Sequence, residues 1–279
     1  MIKFLKMQGT GNDFIYIDAL KQTITRPESL AVKMCDRHYG IGADGLILIL
    51  KSSRADFKMR IFNSDGSEAE MCGNGIRCFA KYVYDYGLIS EKNITVETLA
   101  GIQTLQLFFK NKKVDKVTVD MGEPILLRER IPMLGDPGMV IDEILQLDDG
   151  AKFNITSVSM GNPHVVIFVE DIENFPVEKY GRMIENHSLF PKRTNVEFVK
   201  VVNDGEVIQR TWERGAGETF SCGTGALAVT VACILNKKTA RKIKINLTGG
   251  ELLTQWEEKD NHVYLTGPAV EVFSGVWKD

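Results

Sequence analysis

The chain repeats itself, and this repeat constrains its architecture more than any other feature. Cys72 and Cys222 each begin a Cys-Gly-x-Gly motif, with an aromatic residue ten positions earlier and a glutamate four positions earlier. The same offset of 150 residues places Gly11-Asn12 onto Gly161-Asn162. Self-similarity at a fixed offset is typical of a duplicated structural unit. We therefore predict two similar domains, which the length of 279 residues can accommodate.

Strand-like and helix-like segments follow in the same order in both halves. Residues 58–62 and 207–212 alternate apolar and polar side chains, as half-buried strands do. Each is followed by a glycine-rich turn and then by a helical pattern, at residues 76–87 and 226–236. The second helical segment is apolar on nearly all sides, which predicts a helix buried inside its domain. Further short strands are expected at residues 45–50, 103–109, 116–120, 164–169, 196–202, 242–247 and 262–265.

These patterns predict an α+β fold of two pseudo-symmetric domains, each a strand-rich sheet wrapped around one central helix. The boundary is expected near residues 120–124, where a strand pattern meets glycine and proline. The N-terminal half would comprise residues 1–119 with residues 268–279 returning to it, and the C-terminal half residues 120–267. Because no low-complexity linker separates the halves, we expect them to face each other across a tight cleft that holds the active site.

Composition argues against several classes of function. The formal net charge of −3 is spread along the chain, without the cationic cluster that phosphate binding needs, so no nucleic-acid partner is expected. The longest run without Asp, Glu, Lys or Arg, residues 219–236, is interrupted by glycine, serine and threonine and is not continuously apolar, so no membrane-spanning segment is expected. The N-terminus lacks the features of a signal peptide. Five cysteines are also an odd and sparse count for a disulfide framework. A cytoplasmic protein is therefore expected.

The two repeated cysteines have the setting of reactive thiols. Each precedes a predicted helix, where unpaired N–H groups and the helix dipole favour an anion and can lower a thiol pKa from about 8.5 to between about 3.5 and 7.5. The glycines that follow allow a substrate carboxylate to approach the same N–H groups. Two such thiols flanking one carbon would suit a two-base inversion. A thiolate would remove the α-proton from one face, and the opposite thiol would return a proton to the other.

Other interpretations of these residues stay open. A free cysteine is more often a small buried hydrophobic residue, and packing accounts for Cys35, Cys78 and Cys233. The spacing of Cys72 and Cys78 fits no common zinc pattern, so no metal is predicted. A structural disulfide between Cys72 and Cys222 is an alternative, although the chain otherwise looks cytoplasmic. The glycine-rich segments could also be phosphate-binding loops, but neither completes a Walker or dinucleotide motif.

Four long motifs resemble those of diaminopimelate epimerases. They lie at residues 9–14, 63–78, 160–164 and 213–225, and the resemblance runs from residue 4 to residues 267–269. It implies interconversion of LL- and meso-diaminopimelate in lysine and cell-wall precursor synthesis. It also implies independence of pyridoxal phosphate, with no other cofactor, and two similar α/β domains. A homodimer is expected as well.

The resemblance assigns roles position by position. Cys72 and Cys222 correspond to the two catalytic thiols of the family. His164 and Glu213 match positions that tune the acidity of the cysteines. The residues that match substrate-binding positions are Asn12, Asn63, Gly73, Asn74, Asn162, Asn195, Glu213, Arg214, Gly223 and Thr224.

Their chemistry suits an amino acid with two carboxylates. Backbone donors at Gly73-Asn74 and Gly223-Thr224 would hold the carboxylate of the reacting centre. Arg214 can bind the distal carboxylate with two hydrogen bonds, and asparagine and glutamate oxygens accept from an ammonium group. Taken alone, the asparagines would be turn residues, Glu213 and Arg214 a solvated pair, and His164 a structural histidine.

Two positions depart from the family pattern. Many members carry glutamine where this chain has Gly45, so a glutamine contact to substrate cannot be assigned here. Phe273 stands where some members have a tyrosine linked to dimer formation. A dimer is still expected, without a hydrogen bond from that hydroxyl.

Three rival functions share parts of this pattern. Enzymes similar to proline or hydroxyproline racemases typically have Cys-Gly-His where this chain has Cys72-Gly73-Asn74, and they do not need the Glu213-Arg214 pair. A non-enzymatic amino-acid-binding module would need neither thiol. A phenazine-pathway type of isomerase has a similar architecture but lacks the cysteine pair.

Overall fold

The computed structural model describes residues 1–278, which divide into two compact units. Unit 1 contains Met1–Asp120 and the segment that begins at Thr266, whereas unit 2 contains Met121–Leu265. The elements of unit 1 up to this division are β1 (Ile2–Gly9), β2 (Asn12–Asp18), α1 (Pro27–Cys35), β3 (Gly45–Leu50), β4 (Phe57–Asn63), β5 (Glu68–Ala69), α2 (Gly73–Asp85), β6 (Asn93–Thr98), β7 (Gly101–Lys110) and β8 (Lys113–Asp120).

Unit 2 begins with a short 3-10 helix at Arg128–Arg130. Its further elements are β9 (Glu143–Gln146), β10 (Lys152–Ser159), β11 (Pro163–Phe168), α3 (Val177–Glu185), β12 (Asn195–Asn203), β13 (Glu206–Glu213), β14 (Gly217–Thr219), α4 (Gly223–Leu235), β15 (Lys242–Leu247) and β16 (Gly250–Trp256). The chain returns to unit 1 within β17 (Val263–Pro268) and ends its regular structure there with β18 (Val270–Trp277).

The two units repeat the same strand pairing. β2 runs parallel to β3 with Phe14 opposite Gly45, and β11 runs parallel to β12 with His164 opposite Asn195, both 150 residues further along. Antiparallel pairs β3–β4 and β12–β13 follow, and then parallel pairs β4–β6 and β13–β15. The prediction of two similar strand-rich α+β halves is therefore confirmed. The repeat also gives each residue from β2 to β5 a counterpart in unit 2.

The central helices α2 and α4 begin three residues before the helical patterns in the sequence, at the glycine after each repeated cysteine. α4 is buried along most of its length, as its apolar composition predicts. It packs on β10, β11, β15 and β16. Leu227 and Val231 are fully buried there, and each such side chain contributes about 1.5–3 kcal/mol through burial. This packing fixes the position of the helix start.

Each unit also has a second, shorter helix that the sequence patterns did not indicate. α1 packs on β3 and β4 through Leu30 and Met34, and α3 packs on β12 and β13 through Val177 and Ile184. Each has only nine residues, too few for a helical period to stand out from the sequence. The seven further strands that the sequence predicts are all present, with ends displaced by up to three residues. Among residues 1–278, no helix has the length and apolar character needed to cross a membrane.

Candidate active site

Cys72 and Cys222 occupy the same place in the two units, as the N-cap residues of the central helices. Both have the extended backbone of an N-cap, with φ/ψ of −140°/119° and −117°/112°. Each sulfur accepts a hydrogen bond at 3.4 Å from a backbone N–H, that of Gly75 in α2 and that of Gly225 in α4. Each cysteine sulfur therefore faces the donor-rich end of a helix.

The second glycine of each motif allows a strand side chain to pack directly against the first helical turn. A Cβ atom at Gly75 would lie 2.8 Å from Cδ1 of Ile47. A Cβ atom at Gly225 would lie 2.4 Å from Oε1 of Glu197. Ile47 and Glu197 are counterparts in the repeat, so the same glycine accommodates an apolar neighbour in unit 1 and a carboxylate in unit 2.

Two of the predicted substrate-binding asparagines meet at Cys72. The thiol donates to Oδ1 of Asn12 at 3.5 Å, and Nδ2 of Asn74 donates to the same oxygen at 3.3 Å. Nδ2 of Asn12 in turn donates to Oδ2 of Asp44 at 2.6 Å. The hydroxyl of Thr10 donates to Oδ1 of Asn74 at 3.2 Å. Asn12 is thus held at both ends of its amide.

Asp44, which binds Asn12, belongs to a cluster of charged residues. Arg37 donates through Nη2 to Asp44 Oδ1 at 2.8 Å and to Asp13 Oδ1 at 2.9 Å. The buried ammonium of Lys6 lies 2.6 Å from Oδ2 of Asp13. Burial would raise the pKa of Asp13, but hydrogen bonds from Arg37 and Lys6 outweigh it and hold this pKa below its ordinary value. The cluster is therefore an ionised, internally paired support for Asn12.

Cys222 lies in a less polar and more acidic environment. It is buried, and its sulfur lies 3.5 Å from the hydroxyl of Thr224. Burial raises its pKa well above the ordinary thiol value, and the nearby carboxyls of Glu213 and Glu197 raise it further. The lowered thiol pKa expected from the helix N-terminus is therefore wrong for Cys222. Desolvation and two carboxyls outweigh the dipole there.

The pKa of Glu213 also departs from its ordinary value. Burial raises its pKa, although the Thr219 hydroxyl donates to Oε1 at 2.5 Å and opposes this rise. Burial thus raises the pKa of both neighbouring groups, the Glu213 carboxyl and the Cys222 thiol. The position of Glu213 is thus compatible with its predicted role in the acidity of Cys222. Its carboxyl raises the pKa of that thiol.

A buried polar network lies next to Cys222. Nδ1 of His164 contacts Oε1 of Glu197 at 2.8 Å, and Nε2 contacts Oδ1 of Asn162 at 3.0 Å. Oε2 of Glu197 accepts from the Thr211 hydroxyl at 2.6 Å and from Nε2 of Gln209 at 2.8 Å. An amide oxygen only accepts, so Nε2 of His164 donates to Asn162, and the Nδ1–Oε1 contact then requires a further proton between those two atoms.

The sequence interpretation missed Glu197. It lies inside the otherwise apolar run 196–199, a pattern that predicts an ordinary buried strand. The repeat could have revealed it, because the unit 1 counterparts of His164, Glu197, Gln209 and Thr211 are all apolar. They are Phe14, Ile47, Met59 and Ile61. Burying polar groups where an apolar core would suffice costs free energy that hydrogen bonds offset only in part here, because Oε1 of Gln209 has no partner among the described residues, and this cost marks the cluster as a functional feature.

The donor set of His164, Glu197 and Cys222 has its ligand atoms within 4.8 Å of one another, so in composition it could hold a metal ion. However, both ring nitrogens of His164 and both carboxylate oxygens of Glu197 are already engaged in hydrogen bonds. A metal would have to displace these bonds, so the residues fit a hydrogen-bonded network better than a metal site.

The remaining predicted binding residues of unit 2 form a connected group. Oδ1 of Asn195 accepts from the backbone N–H of Arg214 at 2.9 Å, and Nδ2 of Asn195 donates to the Pro163 carbonyl at 2.9 Å. The guanidinium of Arg214 donates to the Lys192 carbonyl at 3.0 Å.

Asn63, a predicted binding residue of unit 1, ends β4 and donates to the Ser67 hydroxyl at 3.0 Å, as a turn residue does.

Gly45 and Phe273 are the two positions at which the sequence departs from the family pattern. The structure gives a physical reason for the first and a location for the second. A Cβ atom at Gly45 would lie 2.7 Å from the Phe62 carbonyl oxygen and 3.3 Å from the Phe14 ring, so the backbone leaves no room for a side chain there. Phe273 is exposed on β18, where its ring meets Phe4 edge-on at 6.0 Å.

Comparisons with known proteins agree with the motifs. The sequence model of the family described as diaminopimelate epimerase matches residues 4–127 and 156–272. A protein of Methanococcus maripaludis named diaminopimelate epimerase is 55% identical over 274 residues, which cover 98% of this chain and 99% of that protein. One of the same name from Acetivibrio thermocellus is 54% identical, with 98% of each chain covered.

Solved structures share the fold at low sequence identity. A probable proline racemase of Agrobacterium radiobacter has a TM-score of 0.73 at 15% identity, covering 100% of this chain and 93% of that one. A phenazine biosynthesis protein of Bacillus anthracis has a TM-score of 0.68 at 19% identity, with 99% of both chains covered. At these identities the likeness shows the architecture alone.

Proposed function

The chain belongs to the diaminopimelate epimerase family, and we propose that it interconverts LL- and meso-diaminopimelate with Cys72 and Cys222 as paired acid and base. The observation that carries the mechanism is the equivalent placement of two free thiols, each capping the central helix of its unit. Family membership supplies the substrate, and the two thiols supply the proton chemistry. The enzyme would serve lysine and cell-wall precursor synthesis.

In each direction one cysteine acts as thiolate and the other as thiol. The thiolate takes the α-proton, and the electron pair of the C–H bond moves into the adjacent carboxylate. The opposite thiol then gives its proton to the other face, so the configuration inverts and the pair keeps its single proton. The raised pKa of Cys222 suits it to the role of proton donor in the free enzyme.

The reacting carboxylate gains charge during this step and needs donors in place. We propose that the first-turn N–H groups at Gly73-Asn74 and Gly223-Thr224 supply them, since helix N-termini stabilise anions without reorganisation. Base, acid and anion stabilisation then all come from the chain itself. The mechanism therefore requires no cofactor and no metal.

Recognition of the distal amino-acid end is assigned to Asn63, Asn162, Asn195, Glu213 and Arg214. Asn195 accepts from the backbone N–H of Arg214, and one guanidinium nitrogen of Arg214 donates to the Lys192 carbonyl. The remaining guanidinium donors can bind a carboxylate. Glu213 offers a carboxyl oxygen to an ammonium group, and Asn162 offers the lone pair of Oδ1 that His164 does not engage. A substrate with a second charged end uses these groups, whereas a proline-sized substrate would leave them unmatched.

We further propose a homodimer formed through β18. This strand pairs with β1 on one side and exposes Val270, Val272, Phe273 and Val276. Exposed apolar side chains clustered on one strand invite association, so a second copy of the chain is the partner that fits. Light scattering should give a dimer for the wild type and a monomer for Phe273→Asp. Ile144→Asp, on exposed β9, should remain dimeric, and a monomeric wild type would refute the proposal.

A cytoplasmic location is proposed on the state of the cysteines. All five are free thiols, and four of them are buried. Buried unpaired thiols fit a reducing compartment, because an oxidising one would select for their pairing or loss.

The decisive experiment is incubation with LL-diaminopimelate in D₂O without added pyridoxal phosphate or metal. Deuterated meso product is expected from the wild type. Cys72→Ala and Cys222→Ala should each lose activity by several orders of magnitude, because each removes an obligatory proton carrier, whereas Cys233→Ala should change mainly stability. Retention of more than roughly a tenth of turnover by either active-site variant would refute the two-base mechanism. Efficient racemisation of proline with none of diaminopimelate would refute the substrate.

A further inference from the structure

The orientation of the Asn12 amide follows from its neighbours. An aspartate carboxylate only accepts hydrogen bonds at neutral pH, so the contact at 2.6 Å with Asp44 requires the NH₂ end of Asn12 to face it. The oxygen end must then face Cys72, where it accepts from the thiol at 3.5 Å and from Nδ2 of Asn74 at 3.3 Å. Asp44, at the shorter of the two contacts, thereby acts with the NH₂ group of Asn74 to set which end of Asn12 the sulfur meets.

The counterpart of Asn12 in unit 2 is held in the opposite sense. Oδ1 of Asn162 is occupied by Nε2 of His164 at 3.0 Å, so this asparagine is fixed through its oxygen rather than its NH₂ group. The repeat counterpart of Asp44 is Thr194, whose hydroxyl donates to the carbonyl of Asn195. The carboxylate grip on Asn12 is thus peculiar to unit 1 and is not a requirement of the shared fold.

Asp44 is itself well supported in its orientation. Arg37 binds its Oδ1, while the backbone N–H of Asp13 donates to Oδ2 at 3.0 Å. The backbone N–H of Asp44 donates to the Asp13 carbonyl at 2.9 Å. These bonds leave the carboxylate little freedom to release Asn12, although Asp44 is partly exposed.

The amide oxygen of Asn12 beside the Cys72 sulfur favours the protonated thiol. A thiolate there would be repelled by the partial negative charge of that oxygen. We propose that Asp44 is a positioning residue, which holds the Asn12 oxygen against Cys72 and so keeps this cysteine protonated in the free enzyme. This rests on the proposed function only in treating Cys72 as one of the two proton carriers. On substrate binding, Asn12 would exchange this contact for one to the substrate.

Other groups also act on Cys72, and they do not change with Asp44. The buried guanidinium of Arg77 and the side chains of Tyr16 and Cys78 interact electrostatically with it. The Arg77 cation favours a thiolate, so the Asn12 oxygen opposes it. Removal of the Asp44 carboxylate should therefore release Cys72 toward the thiolate.

The test is the pH dependence of alkylation of each cysteine by iodoacetamide, followed by mass spectrometry of the peptides. In Asp44→Asn, residue 44 can present either end of its amide, so Asn12 can turn its NH₂ group to the sulfur. We expect Cys72 to be labelled roughly tenfold faster at pH 7, with its profile moved to lower pH by about one unit. Labelling of Cys222 should not change. The control Asp56→Asn, whose carboxylate serves Thr95, should match the wild type.

A double substitution separates the action through Asn12 from the loss of charge alone. Asn12→Ala should speed labelling of Cys72 by itself, and adding Asp44→Asn in that background should have no further effect. An unchanged Cys72 profile in either single variant would overturn the proposal. An effect of Asp44→Asn that persists without Asn12 would overturn it as well. Because labelling needs no substrate, these outcomes are independent of whether the enzyme acts on diaminopimelate.

Discussion

Cys72 has the buried guanidinium of Arg77 within electrostatic reach, whereas Cys222 faces the carboxyls of Glu213 and Glu197. The same backbone position, the N-cap of a central helix, therefore carries two thiols with opposite electrostatic surroundings. A symmetric proton exchange does not require symmetric residues. The proposed mechanism requires only that one thiol hold a proton while the other can lose it, and Cys72 can lose its proton once the Asn12 oxygen no longer opposes the Arg77 cation.

Glu213 offers a test of this inequality at Cys222. Since its carboxyl raises the pKa of Cys222, Glu213→Gln should lower that pKa and move the alkylation profile of Cys222 to lower pH. Glu218→Gln is a matched control. Glu218 lies on β14 and forms an ion pair with Arg210 on β13. If the Glu213→Gln profile overlays that of the wild type, Glu213 does not control the thiol.

Sequence patterns predicted the strands and central helices because apolar periodicity reports which face of an element is buried. They did not predict α1 and α3, which are short, or the buried network around Glu197. Periodicity could not find that network, because it shows that a strand is buried but not which side chains meet across strands. The internal repeat identifies the two cysteines, and motif resemblance identifies the binding residues. The direction of the Cys222 pKa shift depends on the burial of the thiol and on the positions of two carboxyls, which only the structure gives.

The second glycine of each cysteine motif provides a matched pair of substitutions. Gly225→Ala would push a methyl group into the Glu197 carboxylate, which is fixed by three hydrogen-bond partners. Gly75→Ala meets only the flexible end of Ile47. We expect Gly225→Ala to lower the free energy of unfolding by about 1–3 kcal/mol and Gly75→Ala by less. Urea unfolding would measure both, and equal losses would contradict the difference between the two helix starts.

Across the whole molecule, buried thiols make stability sensitive to alkali. Burial raises the pKa of Cys35 and Cys233 from 9.0 to about 12 and that of Cys78 to about 11. The unfolded chain releases these protons from its ordinary thiol pKa upward, while the folded chain retains them. Stability should therefore be complete below about pH 9 and fall as pH rises toward the folded values.

Each fully buried thiol should add a slope of up to about 1.4 kcal/mol per pH unit to this fall. Cys233→Ala removes one such group at a site with no role in the proposed mechanism. Urea unfolding between about pH 8.5 and 10.5 should therefore show a shallower decline in this variant than in the wild type. Parallel declines would mean that the Cys233 thiol titrates alike in the folded and unfolded chains.

Unit 1 is assembled from two distant stretches of chain, with Ile2 on β1 opposite Trp277 on β18. During synthesis, β1 emerges from the ribosome long before the strand that covers its edge has been made. Unit 2 is one continuous stretch and can complete its contacts as it emerges. The cysteine made first, Cys72, thus belongs to the unit finished last. A ribosome that stalls before β18 would release a chain with a finished second unit and an open first one.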